Sequence, residues 1–154
     1  MDDAVPLDEL LSEDLELRNL LESIDRTKVK MWLFTNAHVT HGKRVVRLLG
    51  IDDLFEGMTY CNYGERPLVP KPIPAMFDKA EREAGWLPEK TIYFVDDSWL
   101  NCRAAFNRGW INTVHLIEEP WANDPQEKPC AHTIKHLSEL KCLFPEIFKQ
   151  ETTV

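Results

Sequence analysis

The strongest constraint on the fold is an alternation. Short apolar runs, "KMWLFT" at 30–35, "FEGMTYCN" around 57–61, "TIYFV" at 91–95 and "NTVHLI" at 112–117, are separated by longer segments with helical periodicity. Runs of this length and composition read as buried strands. Residues 7–24, with leucines from Leu10 to Leu21 and then Ile24 at mixed helical spacing, predict one amphipathic helix or two short ones. Val45, Val46, Leu48 and Leu49 give the next helix its apolar face, and Gly50 and Gly85 stand where helix C-caps belong. A further helix, "SWLNCRAAFNRG", ends at Gly109. Helix then strand, four times over, means right-handed βαβ units and a mostly parallel sheet covered by helices, an α/β architecture in three layers.

The 154 residues suit one domain, 1–154. Beyond Pro120 the pattern weakens: "WANDPQEKP" reads as a loop, and "HTIKHLSELKCLFPEIF" as a short strand or helix docked on the body. A net charge of −8 argues against a nucleic-acid polymer as partner, but leaves room for a small phosphate ligand, which needs only local positive potential. The four cysteines, Cys61, Cys102, Cys130 and Cys142, have no zinc-site spacing and read as free thiols in a reducing compartment. No run approaches a membrane span, and the first residues are acidic rather than signal-like. The expectation is a soluble protein of the cytoplasm, with the nucleus as a second compartment, and no membrane partner.

In open parallel sheets ligands bind beyond the carboxyl ends of the strands. The first strand ends in Thr35-Asn36, the third in Asp96-Asp97-Ser98, and the proline-rich loop after the second delivers Lys71 to the start of a helix. One parallel sheet would bring all three to a single crevice. Two carboxylates are hard oxygen ligands, and Mg²⁺ favours one or two of them with water and substrate phosphate. A lysine brings a compact positive charge, and a threonine hydroxyl with helix N-terminal N–H groups can hold phosphate oxygens. Taken singly, each has a plainer reading. Asp97-Ser98 suits a helix N-cap, Thr35-Asn36 a cap and turn, and Lys71 a surface lysine. Lys43, Arg44 and Arg47 read as the solvated face of their helix, and His38 and His41 as loop residues. The functional reading rests on three features falling at the correct ends of successive βα units.

These motifs carry a resemblance. "WLFTNAHVTHGKRVVRLLGIDDLFEGMTYCNYGERPLVPKP" followed by "TIYFVDDSWLN" resembles the haloacid dehalogenase-like hydrolases, and within them the fungal-type pyrimidine 5′-nucleotidases, over roughly residues 5–118. The resemblance implies a Rossmann-like core. It makes Thr35 the phosphate-binding residue of the second motif, with Asn36 beside it, Lys71 the phosphate-stabilising lysine of the third, and Asp96 and Asp97 the acidic pair that holds Mg²⁺. It implies a nucleoside monophosphate as substrate.

The family's first motif, an apolar strand ending in D-x-D-x-T/V, has no match before residue 30; the only early acid pair, Asp2-Asp3, follows no apolar run. That motif supplies the family's Asp nucleophile and its acid/base. Without it, phosphate and cation can be held but turnover should be lost. Most of the helical cap is missing too, residues 1–24 resembling its last segment and return helix. In the family the absent strand is the centre of the sheet, between those ending at Thr35 and Val95. Its loss would leave them about 10 Å apart rather than about 5 Å. Their unpaired backbone groups would be an edge liability: either the two strands pair directly, or another segment fills the slot, or the chain is a fragment poorly stable alone. The alternative to an inactive phosphatase core is therefore a non-catalytic phosphate- or Mg²⁺-binding or regulatory module that pairs with another chain. A response-regulator receiver would need its acids after the first strand, and the order here is the wrong one.

Overall fold

A computed structural model describes residues 12–64, 66–119 and 125–150. In chain order the elements are α1 (Leu15–Glu22), β1 (Trp32–Phe34), α2 (Val39–Leu48), β2 (Gly57–Thr59), α3 (Pro74–Ala84), β3 (Tyr93–Asp96), α4 (Trp99–Asn107), β4 (Asn112–Leu116), β5 (His132–Ile134) and the short α5 (Leu140–Leu143). All the strand pairs are parallel, as the alternation predicts. The part of the N-terminal helix expected before residue 12 lies outside the described residues.

The chain forms two compact units: one runs to Leu68 and resumes at Phe144, and the other is Val69–Leu143. In the first, β1 and β2 form a two-stranded sheet with Trp32 opposite Gly57 and Phe34 opposite Thr59. The Trp32 indole lies over Gly57, where a Cβ would come within 2.2 Å of the ring. Only glycine leaves room for it. The indole Nε1 donates to Thr59 Oγ1 at 2.9 Å, satisfying the one polar atom the ring buries. Ile24, Ile51, Leu54, Phe144 and Phe148 fill the core.

Two devices tie the ends of this unit. Asp14 caps α1 by accepting from Leu17 N, and Arg18 of that helix pairs with both oxygens of Asp53 at 2.7 and 2.8 Å. The chain returns at its far end. Ile24 bridges Phe148 antiparallel, Asp25 N donates to Ile147 O, and Lys149 N donates to Ser23 O, each hydrogen bond at 2.8 Å.

The second unit holds the sheet β3-β4-β5. Phe77, Phe94 and Trp110 meet edge to face, with centroids 5.2 to 6.2 Å apart, and are 1 to 7% exposed. Arg108 braces the rim of this cluster. It pairs with Asp78 at 2.7 Å and Glu81 at 3.0 Å, and Glu81 also accepts from Trp110 Nε1. Pro74 opens α3 and Gly85 closes it at φ +73°, a conformation that favours glycine.

The tail departs from expectation: it contributes β5, a third strand of the second sheet, followed by helical turns, rather than a strand or a helix alone. Of the possibilities left open by the missing central strand, direct pairing does not occur: the strands ending at Thr35 and Asp96 do not share a sheet, and among the described residues no strand bridges β1 and β3.

Candidate functional site

The acid end of the second unit follows from its local sequence. β3 stops at Asp96 because the next two residues turn into α4. Ser98 is its N-cap, with its hydroxyl accepting from Asn101 N at 3.2 Å. Successive strand residues face opposite ways, so the two carboxylates diverge.

Asp96 turns inward. Its side chain is 7% exposed and pairs with Lys71 Nζ at 2.7 Å, and that lysine side chain is itself 6% exposed. Ser98 N donates to Asp96 Oδ1 at 2.8 Å, and Asn101 Nδ2 lies 3.4 and 3.5 Å from the two oxygens. All of the roughly four acceptor positions on a carboxylate are engaged, two on each oxygen. Asp97 is exposed, and no described residue donates to its carboxylate. The like charges are accommodated by this division: one is neutralised by a buried lysine, and the other is left in water.

The main chain here is held as firmly as Asp96. Cys102 Sγ donates to Asp96 O at 3.4 Å, and His115 Nε2, on β4, lies 3.2 Å from Asp97 O. Burial, then the neighbouring Cys130 and Asp96, push the Cys102 thiol well above its ordinary pKa, so it is an inert structural donor. A cavity of about 300 Å³ beyond the ends of β3 and β4 is lined by Asp97, His115, Leu116, Ile117, Glu118, Glu119 and Pro125.

Thr35 and Asn36 lie at the end of β1 in the other unit. Thr35 N donates to Thr59 O at 3.0 Å, and its Oγ1 accepts from Ala37 N at 3.0 Å, which leaves the hydroxyl proton able to donate. Tyr63 Oη donates to Asn36 O at 3.3 Å, and the His38 ring lies 5.3 Å from that of Tyr63. His38 is the N-cap position of α2 and His41 lies in its first turn, so neither is a simple loop residue as expected. A concavity of about 460 Å³ lined by Val39, Thr40, Lys43, Arg44, Arg47 and Leu48 belongs wholly to α2 and includes neither Thr35 nor Asn36.

The structure thus brings Lys71, Asp96 and Asp97 together and places Thr35-Asn36 on the other unit. Sequence reasoning passed over Asn101 and His115. Asn101 was legible: it is the third residue of a capped helix, where side chains reach back to the cap. His115 carried no local signal, because its role comes from the parallel register that sets it opposite Asp96. As for a cation, the described residues contain no cluster of three or more His, Cys, Asp or Glu side chains. The oxygen donors at hand, those of the exposed Asp97 carboxylate, suit a hard ion such as Mg²⁺, which takes one or two carboxylates and keeps water and substrate oxygens as its other ligands.

Known proteins resemble this chain in sequence and in fold. Residues 3–107 match the family model of the haloacid dehalogenase-like hydrolases. Phosphate metabolism protein 8 of Saccharomyces cerevisiae is 39% identical over 127 residues, covering 77% of this chain and 39% of that protein. Among solved structures, a Thermotoga maritima protein assigned as a beta-phosphoglucomutase superposes with a TM-score of 0.73 at 21% identity, over 92% of this chain and 64% of its own. The L-2-haloacid dehalogenase RSc1362 does so with a TM-score of 0.70 at 18% identity, over 87% and 57%. At these identities the superpositions speak for the fold alone, and the chain spans 39 to 64% of these relatives' lengths. With the order of motifs, the parallel strands and the matched family model in agreement, the chain belongs to the haloacid dehalogenase-like hydrolases.

Proposed function

We propose that this chain is a phosphatase core of pyrimidine 5′-nucleotidase type. It holds phosphate and Mg²⁺ but does not by itself hydrolyse a nucleoside monophosphate. The observation that carries this reading is the buried Lys71–Asp96 pair beside the exposed Asp97. An ammonium held at 2.7 Å from a carboxylate is fixed in place, where it could meet a phosphate oxygen. Asp97 would hold Mg²⁺, which when bound neutralises phosphate charge. The 154 residues contain no D-x-D-x-T/V segment to supply a nucleophile and acid/base. The free cysteines are in keeping with the cytoplasm.

The test is inorganic phosphate release from UMP and CMP with Mg²⁺ by the purified chain. We expect none above background. Turnover that disappears in Asp96→Asn would overturn the inactive part of the reading.

A second reading, a module that pairs with a longer relative, is favoured by one observation: among the described residues the β1–β2 sheet has two strands, too few for independent stability without further packing. Size-exclusion chromatography with calorimetry separates the two. A strict monomer that binds neither phosphate nor Mg²⁺ would sink the pairing module.

A further inference from the structure

We propose that His115 is a positioning residue for the Asp97 carboxylate, acting through the main chain. The inference rests on the reading that Asp97 holds the cation.

The Asp97 side chain is exposed, and no described residue donates to it, so nothing but its own backbone can aim it. That backbone is gripped at one atom, the carbonyl oxygen, by His115 Nε2 at 3.2 Å. A carbonyl only accepts, so Nε2 carries the proton, and in the neutral ring Nδ1 then carries none. Nδ1 is buried without any hydrogen-bond partner, and the residue as a whole is 7% exposed. An unsatisfied buried acceptor costs about 1–3 kcal/mol.

The neighbours of His115 make that cost informative. It sits between Val114 and Leu116 in β4, opposite Asp96 on one side and Thr133 on the other. An aliphatic or aromatic side chain would fill this interior position with no orphaned atom. What the imidazole adds is the single hydrogen bond to the peptide that carries Asp97. Cys102 holds the preceding carbonyl, that of Asp96, from the α4 side. The two contacts fix consecutive peptides, and with them the direction in which the Asp97 side chain leaves the turn. Partners that orient a metal ligand typically change metal affinity 10–100-fold when removed.

The test is calorimetric titration of the whole chain with Mg²⁺ alone, alongside thermal melts. H115L removes the donor and the orphaned Nδ1 together, while the amide of H115Q can still reach the Asp97 carbonyl. We expect H115L to weaken Mg²⁺ binding about tenfold or more with Tm unchanged or raised, and H115Q to stay within about threefold of the parent. In a D97N background H115L should have no further effect on binding. Parent-like Mg²⁺ affinity in H115L, or a loss in step with a lower Tm that H115Q shares, overturns the positioning role alone. A parent chain that binds no Mg²⁺, or binds it unchanged in D97N, overturns the cation reading and this inference together.

Discussion

The two units solve the same problem, a short parallel sheet ending in polar residues, by different means. In the unit that carries Thr35, charges stay at the surface. Arg18 meets Asp53, whose side chain is 60% exposed, and the sheet relies on the fit of Trp32 over Gly57. In the unit that carries Asp96, a full ion pair is buried, with both side chains under a tenth exposed. A surface pair contributes little, about 0–1 kcal/mol. A buried pair is different: it adds little net stability while both partners are present, and breaking it is severe. The first unit should therefore be sensitive to shape, and the second to the removal of single charges.

The sharpest way to break this contrast is Lys71→Met. It strands Asp96 in the interior and should cost about 3–5 kcal/mol in urea unfolding. Adding Asp96→Asn to Lys71→Met should recover part of the loss, and a double variant no better than the single would argue that packing of the lysine stem, not charge, is at stake. Next comes Gly57→Ala, which drives a methyl group into the Trp32 ring and should cost about 1–3 kcal/mol, read from the same melts. A neutral outcome would mean the indole can leave the sheet freely. Asp97→Asn should change stability by less than about 0.5 kcal/mol, in contrast to its neighbour Asp96.

The smallest effect concerns pH. Hydrogen bonds from Arg18 hold the Asp53 carboxyl down at about 2, from an ordinary value of 3.8. A carboxyl lowered in the folded state adds stability above its unfolded pKa and loses it as the pH falls toward its folded one. The contribution is thus complete above roughly pH 4 and fades toward about pH 2. Urea midpoints measured from pH 5 to pH 2 should fall slightly less steeply for Asp53→Asn than for the parent, and identical slopes would show that the pair contributes nothing.

Much of this was readable from the chain. The helix end capped by Gly85, the capping role of Ser98 and the parallel βα order all follow from local chemistry and are present, while Gly50 takes its left-handed turn one residue after the cap, Leu49. What escaped depended on long-range partners. "HTI" is three residues after a proline-rich stretch and becomes a strand only because β4 offers it an edge. Strand alternation foretells that Asp96 and Asp97 point apart. Which one is buried depends on Lys71, which approaches from a loop 25 residues away in sequence. The split into two sheets likewise turns on pairing between strands, and no residue of β1 or β3 encodes that by itself.

The antiparallel bridge from Ile24 to Phe148 also has a consequence for synthesis on the ribosome. The stretch from Val69 to Leu143 is continuous, so it can complete its contacts as soon as it emerges. The unit built on β1 and β2 appears first but must wait for residues near 148 before Ser23 and Asp25 find their backbone partners. The half made earliest is finished last. During that interval a chaperone would meet the two-stranded sheet without its closing segment.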